Sequence, residues 1–211
     1  MTSAAPPYSP YRSDAANAIY NLAFCDDVAA FAARPGQSPT PWQAALASEP
    51  ADVEALRRLA DDEREEGRIR YLASRRLREN GRPAAAKRLY GVVVEMPLDG
   101  GLDTLAATSE GGVRYVNQSG RIAVIEPVPA IVPLVERLFA AAQPVVDRIG
   151  PWSGARRPPP SAGAIRLSFL VSDGLYFGEG PFTALERDPM AAPVIARATE
   201  LLQAVVALRS E

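Results

Sequence analysis

Between Tyr90 and Pro127 the chain reads YGVVVEMPLDGGLDTLAATSEGGVRYVNQSGRIAVIEP. Four short apolar segments are separated by Asp-Gly-Gly, Glu-Gly-Gly and Gln-Ser-Gly. Glycine supplies the positive φ that tight hairpin turns need. Connections this short force neighbouring strands to be antiparallel, since a parallel pair needs a crossover of about a dozen residues or more. The stretch therefore predicts a four-strand meander: Gly91–Met96, Leu102–Thr108, Val113–Asn117 and Arg121–Glu126. Val92, Val93 and Val94 stand in a row, which predicts a first strand covered on both faces.

Helical signals flank the meander. Ser13-Asp14 caps a helix over Ala15–Phe24, and Asp26-Asp27 caps a short one over Val28–Ala33. Pro41 opens another over Trp42–Ser48. Ser48 with Glu49-Pro50 begins the next, with Val53, Leu56 and Leu59 as its apolar side, and Ile69, Leu72, Ala73 and Leu77 mark a helix over Arg68–Glu79 that stops at Asn80-Gly81. Beyond the meander, a long amphipathic helix is expected over Ile131–Ile149, kinked or broken at Pro144. The proline-rich link ARRPPPSAG follows. Ile165–Val171 and Leu175–Gly178, joined by Ser172-Asp173-Gly174, read as a hairpin. In the last helix, Pro189–Arg209, Val194, Ala198, Leu201, Val205 and Leu208 form a narrow seam.

This order predicts an α+β fold. It has a mostly antiparallel sheet of about six strands (four-strand meander, helix, hairpin, helix) preceded by an all-helical region, with helices on one face of the sheet. The expected organisation is a flexible arm over residues 1–11, a helical region over 12–82 and an α+β domain over 83–211, the last two forming one compact unit.

Composition narrows the chemistry. The 211 residues contain no histidine and one cysteine, Cys25. That removes Ser-His-Asp and Cys-His mechanisms, imidazole ligation, intramolecular disulfides and thiolate-rich zinc sites. A net charge of −2 gives no general attraction to nucleic acid or acidic membranes. No run approaches the roughly 20 apolar residues of a membrane helix, and the N-terminus lacks signal-peptide character. The chain reads as cytoplasmic.

Several phrases resemble those of an uncharacterised bacterial protein family: YNLAFCDD at Tyr20–Asp27, GLDTLAA and RYVNQSG within Gly101–Gly120, IGPW at Ile149–Trp152 and SDGLYFGEGP at Ser172–Pro181. The resemblance implies a bacterial, soluble, single-chain protein. It implies no activity.

The glycine turns match neither a P-loop nor a dinucleotide fingerprint, and they serve hairpin geometry. Asp99 with Asp103, and Asp173 with Glu179, flank turns where acidic residues sit solvated; a Mg²⁺, Ca²⁺ or hydrolytic carboxylate pair is the functional alternative. Asp103 stands out because it falls within a strand pattern, where it is expected to face Arg114. The candidate ligand-binding set is Asp103, Arg114, Tyr115, Asn117, Trp152 and Tyr176, weighed against plain core packing. Arg68–Arg88 is either an ion-paired helix or a helix-turn-helix reader. Cys25, beside Asp26-Asp27, reads as structural.

No catalytic residue, cofactor or metal centre is implied. The leading expectation is a non-catalytic interaction or regulatory protein, homodimeric or bound to a protein partner through a sheet edge or the C-terminal seam. The alternative is a small-molecule-binding protein or carboxylate-dependent enzyme with a pocket on the sheet. Nucleic-acid binding through the basic helix is the third.

Overall fold

The computed structural model describes residues 8–83 and 86–208. Helices α1 (Asp14–Phe24), α2 (Pro41–Ala47), α3 (Val53–Asp61) and α4 (Gly67–Glu79) come first, with a 3₁₀ turn at Val28–Phe31. Strands β1 (Leu89–Leu98), β2 (Gly101–Thr108), β3 (Val113–Val116) and β4 (Ile122–Ile125) form the meander. Then come α5 (Val132–Arg148), β5 (Ala164–Val171), β6 (Gly174–Pro181), a one-turn α6 (Phe182–Leu185) and α7 (Ala191–Leu208). The expected last helical residue, Arg209, lies outside the described residues, as do residues 1–7 of the expected arm.

Side-chain caps start α1 and α2 where expected and α3 at Asp52 rather than at Ser48, while α4 and α5 begin without one. The Ser13 and Asp52 side chains accept from Ala16 N and Ala55 N, and Thr40 with Gln43 forms a capping box. The six strands make one antiparallel sheet in the order β4-β3-β2-β1-β5-β6. The hairpin β5–β6 thus adds beside β1, so the first strand of the meander becomes interior.

Both sheet faces are covered, which corrects the one-faced arrangement expected from the sequence. On one face Val92, Val94, Leu105, Ala107, Val113, Ile165, Leu167 and Phe169 pack with α5 and α7. On the other, Val93, Leu102, Ala106 and Val116 pack under Tyr20 and Phe24 of α1. Leu56, Leu72 and Leu77 of α3 and α4 close over Tyr90 and Leu170. The reason is visible in β1: Val92, Val93 and Val94 are all buried, so each face needs its own cover. Tyr8 and Tyr11 dock on this second face, where Tyr8 N donates to Asn21 Oδ1 at 3.0 Å and the Tyr11 hydroxyl bonds Thr104 at 2.8 Å.

Pro144 does not break α5. It lies on the exposed side, while Val135, Leu138, Ala142, Val145 and Val146 hold the opposite side in the core. Convex, solvent-facing turns tolerate a weakened hydrogen bond. Against the expectation that no run approaches a membrane span, α7 is, among the described residues, the one helix with the length and mean hydropathy (1.4) of one; core helices also pass that test, and 28% of this helix is buried. Four members of its seam, Val194, Ala198, Leu201 and Val205, are buried within the same chain, and the fifth, Leu208, is exposed.

Gly67 opens α4 against the sheet. A Cβ there would meet the Tyr90 carbonyl oxygen at 2.3 Å, and that atom belongs to the backbone. Helix propensity alone favours Gly67→Ala by about 1 kcal/mol. The overlap is expected to win, lowering stability by about 1–3 kcal/mol in urea unfolding; a stabilised variant would show that α4 is free to shift off β1.

Candidate functional site

The side chains of Asp103 on β2 and Tyr115 on β3 point to the α5/α7 face, where Leu105 also lies. The Tyr115 hydroxyl donates to Asp103 Oδ2 at 2.8 Å, and Gln118 N donates to Asp103 Oδ1 at 2.7 Å. Burial, together with the Asp103 carboxylate, raises the Tyr115 phenol well above its ordinary value, so it is a neutral donor. Both residues line a cavity of about 320 Å³ between the β1–β2 hairpin and α7. Its walls are apolar: Met96, Leu105, Ile165, Phe182, Ile195 and Leu202 contribute most of them.

The other four candidate residues lie elsewhere. Arg114 faces the opposite side of the sheet and pairs with Glu66 at 2.9 Å rather than with Asp103, because adjacent strand residues alternate faces. Asn117 is engaged in its own turn, accepting from Ser119 N, Ser119 Oγ and Arg121 N. Trp152 is 45% exposed; it donates to Ala155 O and sets its ring edge-on against Phe177 at 5.2 Å. Tyr176 is buried and donates to Asp173 at 2.8 Å. Four strand spacings separate its strand from that of Tyr115, about 19 Å across the sheet.

Sequence reasoning missed a buried ionic network on the opposite face. Glu95 of β1 is fully buried and pairs in register with Arg166 of β5. Its carboxylate accepts from the Tyr20 hydroxyl at 2.7 Å and lies 3.4 Å from Arg166 Nη1. Arg166 also donates to Glu179 and to the carbonyls of Arg157 and Pro158. Arg156, from the proline-rich link, pairs with Asp26, donates to Asn21 Oδ1 and lies over the rings of Tyr8, Tyr20 and Phe24. A signal existed: Glu95 and Arg166 are opposite charges set inside strands that are otherwise apolar but for Ser168, VVVEM and AIRLSFLV.

The basic helix is largely engaged. Arg68 pairs with Glu66, Arg75 with Glu79, Arg76 with Glu49 and Arg88 with Asp61, while Arg70 is buried over the Tyr90 ring. Cys25 is buried, and burial pushes its thiol up to about 12. Among the described residues, no group of three or more Cys, Asp or Glu is placed to hold a metal ion.

The chain is an α+β protein whose sheet carries an apolar cavity on one face and a buried ionic network on the other. Comparison with protein-family models, with curated proteins and with solved structures found no match for it.

Burial raises the Glu95 carboxyl above its ordinary value, outweighing Arg166 and the Tyr20 hydroxyl, which pull it down. The folded state therefore holds this proton more tightly than the unfolded chain. Stability contributed by Glu95 is greatest below the unfolded value, about 4.3, and falls as pH rises from there to the raised folded value. Glu95→Gln removes that fall. The melting temperature of the variant relative to wild type is expected to climb through this window and level off above it; a flat difference from pH 4 to 8 would show that Glu95 is not penalised by burial.

Proposed function

We propose that this chain is a non-catalytic binding protein that holds a small, largely apolar molecule in the cavity beside Asp103 and Tyr115. The observation that carries the reading is the cavity itself. Its volume of about 320 Å³ lies at the small end of ligand sites, roughly 300–1,000 Å³, and such sites combine apolar walls with a few polar groups. Binding is favoured over catalysis because the polar pair is occupied. Both Asp103 oxygens already accept hydrogen bonds, and Tyr115 is held neutral, so neither is set up as a base or nucleophile.

A second reading, a homodimer or a protein partner, draws support from the edge of β6. The Leu175 carbonyl points away from β5 and accepts from Trp152 N, which puts the backbone groups of Phe177 and Glu179 on the same outer edge. The C-terminal seam offers less, since all its members but Leu208 are buried within the same chain.

The test of the cavity reading is a neutral apolar fluorophore such as N-phenyl-1-naphthylamine. Its emission is expected to rise on mixing with the protein, and its presence to raise the melting temperature, since a ligand at 100 times its Kd adds about 2.7 kcal/mol. Thr199 lines the cavity yet is exposed, so Thr199→Trp blocks it without disturbing the core. Loss of the signal in a variant that melts like wild type supports the site; unchanged binding overturns it.

A further inference from the structure

The cavity's polar atoms share one property: among its lining side chains every hydrogen-bond donor is already in use. Only Tyr115 and Thr199 carry an O–H there. The Tyr115 hydroxyl donates to Asp103 Oδ2 at 2.8 Å, and Thr199 Oγ1 donates to the Ile195 carbonyl at 2.9 Å. Asp103, the one charged residue in the lining, is a carboxylate and has only acceptors to offer. Its two oxygens have about four lone-pair sites, and the Tyr115 and Gln118 donors fill two of them. The phenol and threonine oxygens likewise retain acceptor capacity and no free proton.

We infer that the ligand's polar end is a cationic donor, an ammonium or amidinium group on a small apolar body, which Asp103 recognises while the walls formed by Met96, Leu105, Ile165, Phe182 and Leu202 enclose the body. A carboxylate or sulfonate head would meet acceptors alone and a like charge, with only solvent entering past exposed Leu98 and Thr199 to supply donors. A neutral hydroxyl head could donate one bond but would gain nothing from the charge. Discrimination against the anion comes from repulsion as well as from missing donors. Tyr115 and Gln118 N hold the carboxylate in place, so its orientation does not have to be fixed at the moment of binding.

The inference rests on the cavity being the binding site, and the experiment separates the two. Octylammonium, octanol and octanoate, matched in chain length, compete for the fluorophore-loaded full chain at pH 7 and low salt. Octylammonium is expected to displace it about tenfold or more better than octanoate, as a charge-assisted bond to a partly dry carboxylate predicts. Asp103→Asn is expected to collapse that ratio toward one while octanol binding changes little. Because Asp103→Asn also disturbs the Tyr115 and Gln118 bonds, the wild-type ratio stands as an independent measurement. Equal or better displacement by octanoate overturns the inference and leaves the cavity reading intact. Displacement by none of the three overturns the inference, while the cavity reading is decided by the Thr199→Trp measurement.

Discussion

β1 is enclosed in every direction along Tyr90–Glu95, and the rest of the fold follows from that. It is hydrogen-bonded to β2 on one side and β5 on the other, with Val92 and Val94 packed under α5 and α7 and Val93 under α1. A strand buried on both faces cannot be finished by the meander alone, which ends at the far edge in β4. The chain must return from β4 to the free side of β1 before β5 can pair. α5 makes part of that return over one face. The proline-rich link makes the rest along the other, where Arg156 reaches α1 and the Arg157 and Pro158 carbonyls accept from Arg166. What looks in sequence like a spacer is a covering segment.

The ionic network belongs to the same constraint. A buried ion pair adds little net stability, because desolvation offsets most of the attraction. It does penalise error. If β5 slipped by one residue against β1, Arg166 would pass to the α5/α7 face and Glu95 would be left buried without it. The Glu95–Arg166 register, with Glu179 beside it on β6, therefore favours one alignment of three strands. The guanidinium of Arg156 plays a related part for the helical region, since its partners Asp26 and Asn21 and its aromatic neighbours Tyr20 and Phe24 all come from α1 and the turn after it.

The fold was legible in the sequence wherever local chemistry decides. Capping residues, Asp-Gly and Ser-Gly turns and hydrophobic spacing placed nearly every element, and the triplet Val92–Val94 pointed to a two-faced strand. What could not be read was the long-range return: nothing local says that β5 pairs with β1, and so nothing placed Glu95 beside Arg166. The same blindness scattered the candidate site. Asp103 and Tyr115 come together because they sit on neighbouring strands joined by a short turn. Arg114, one residue from Tyr115, necessarily faces the other way. Tyr176 shares a face with Tyr115, but its strand entered the sheet on the opposite side of β1, a placement that only the tertiary topology decides. The single turn α6, too short for periodicity to show, supplies Phe182 to the cavity.

The two faces divide the protein's polar chemistry unevenly. On the α1 face, donors and acceptors are matched across Tyr20, Glu95, Arg166 and Glu179, with Arg166 holding two carboxylates and two carbonyls at once. Such a network is closed, and a ligand entering it would have to break existing pairs. On the α5/α7 face the cavity holds one carboxylate with spare acceptor capacity amid apolar walls. Proton transfer needs a group able both to take and to release a proton at working pH, and Tyr115, with its pKa raised and its hydroxyl fixed on Asp103, is not one. A fixed charge in an apolar recess can still discriminate by shape and sign. The proposed binding role rests on that chemistry, which needs neither an imidazole nor a reactive thiol.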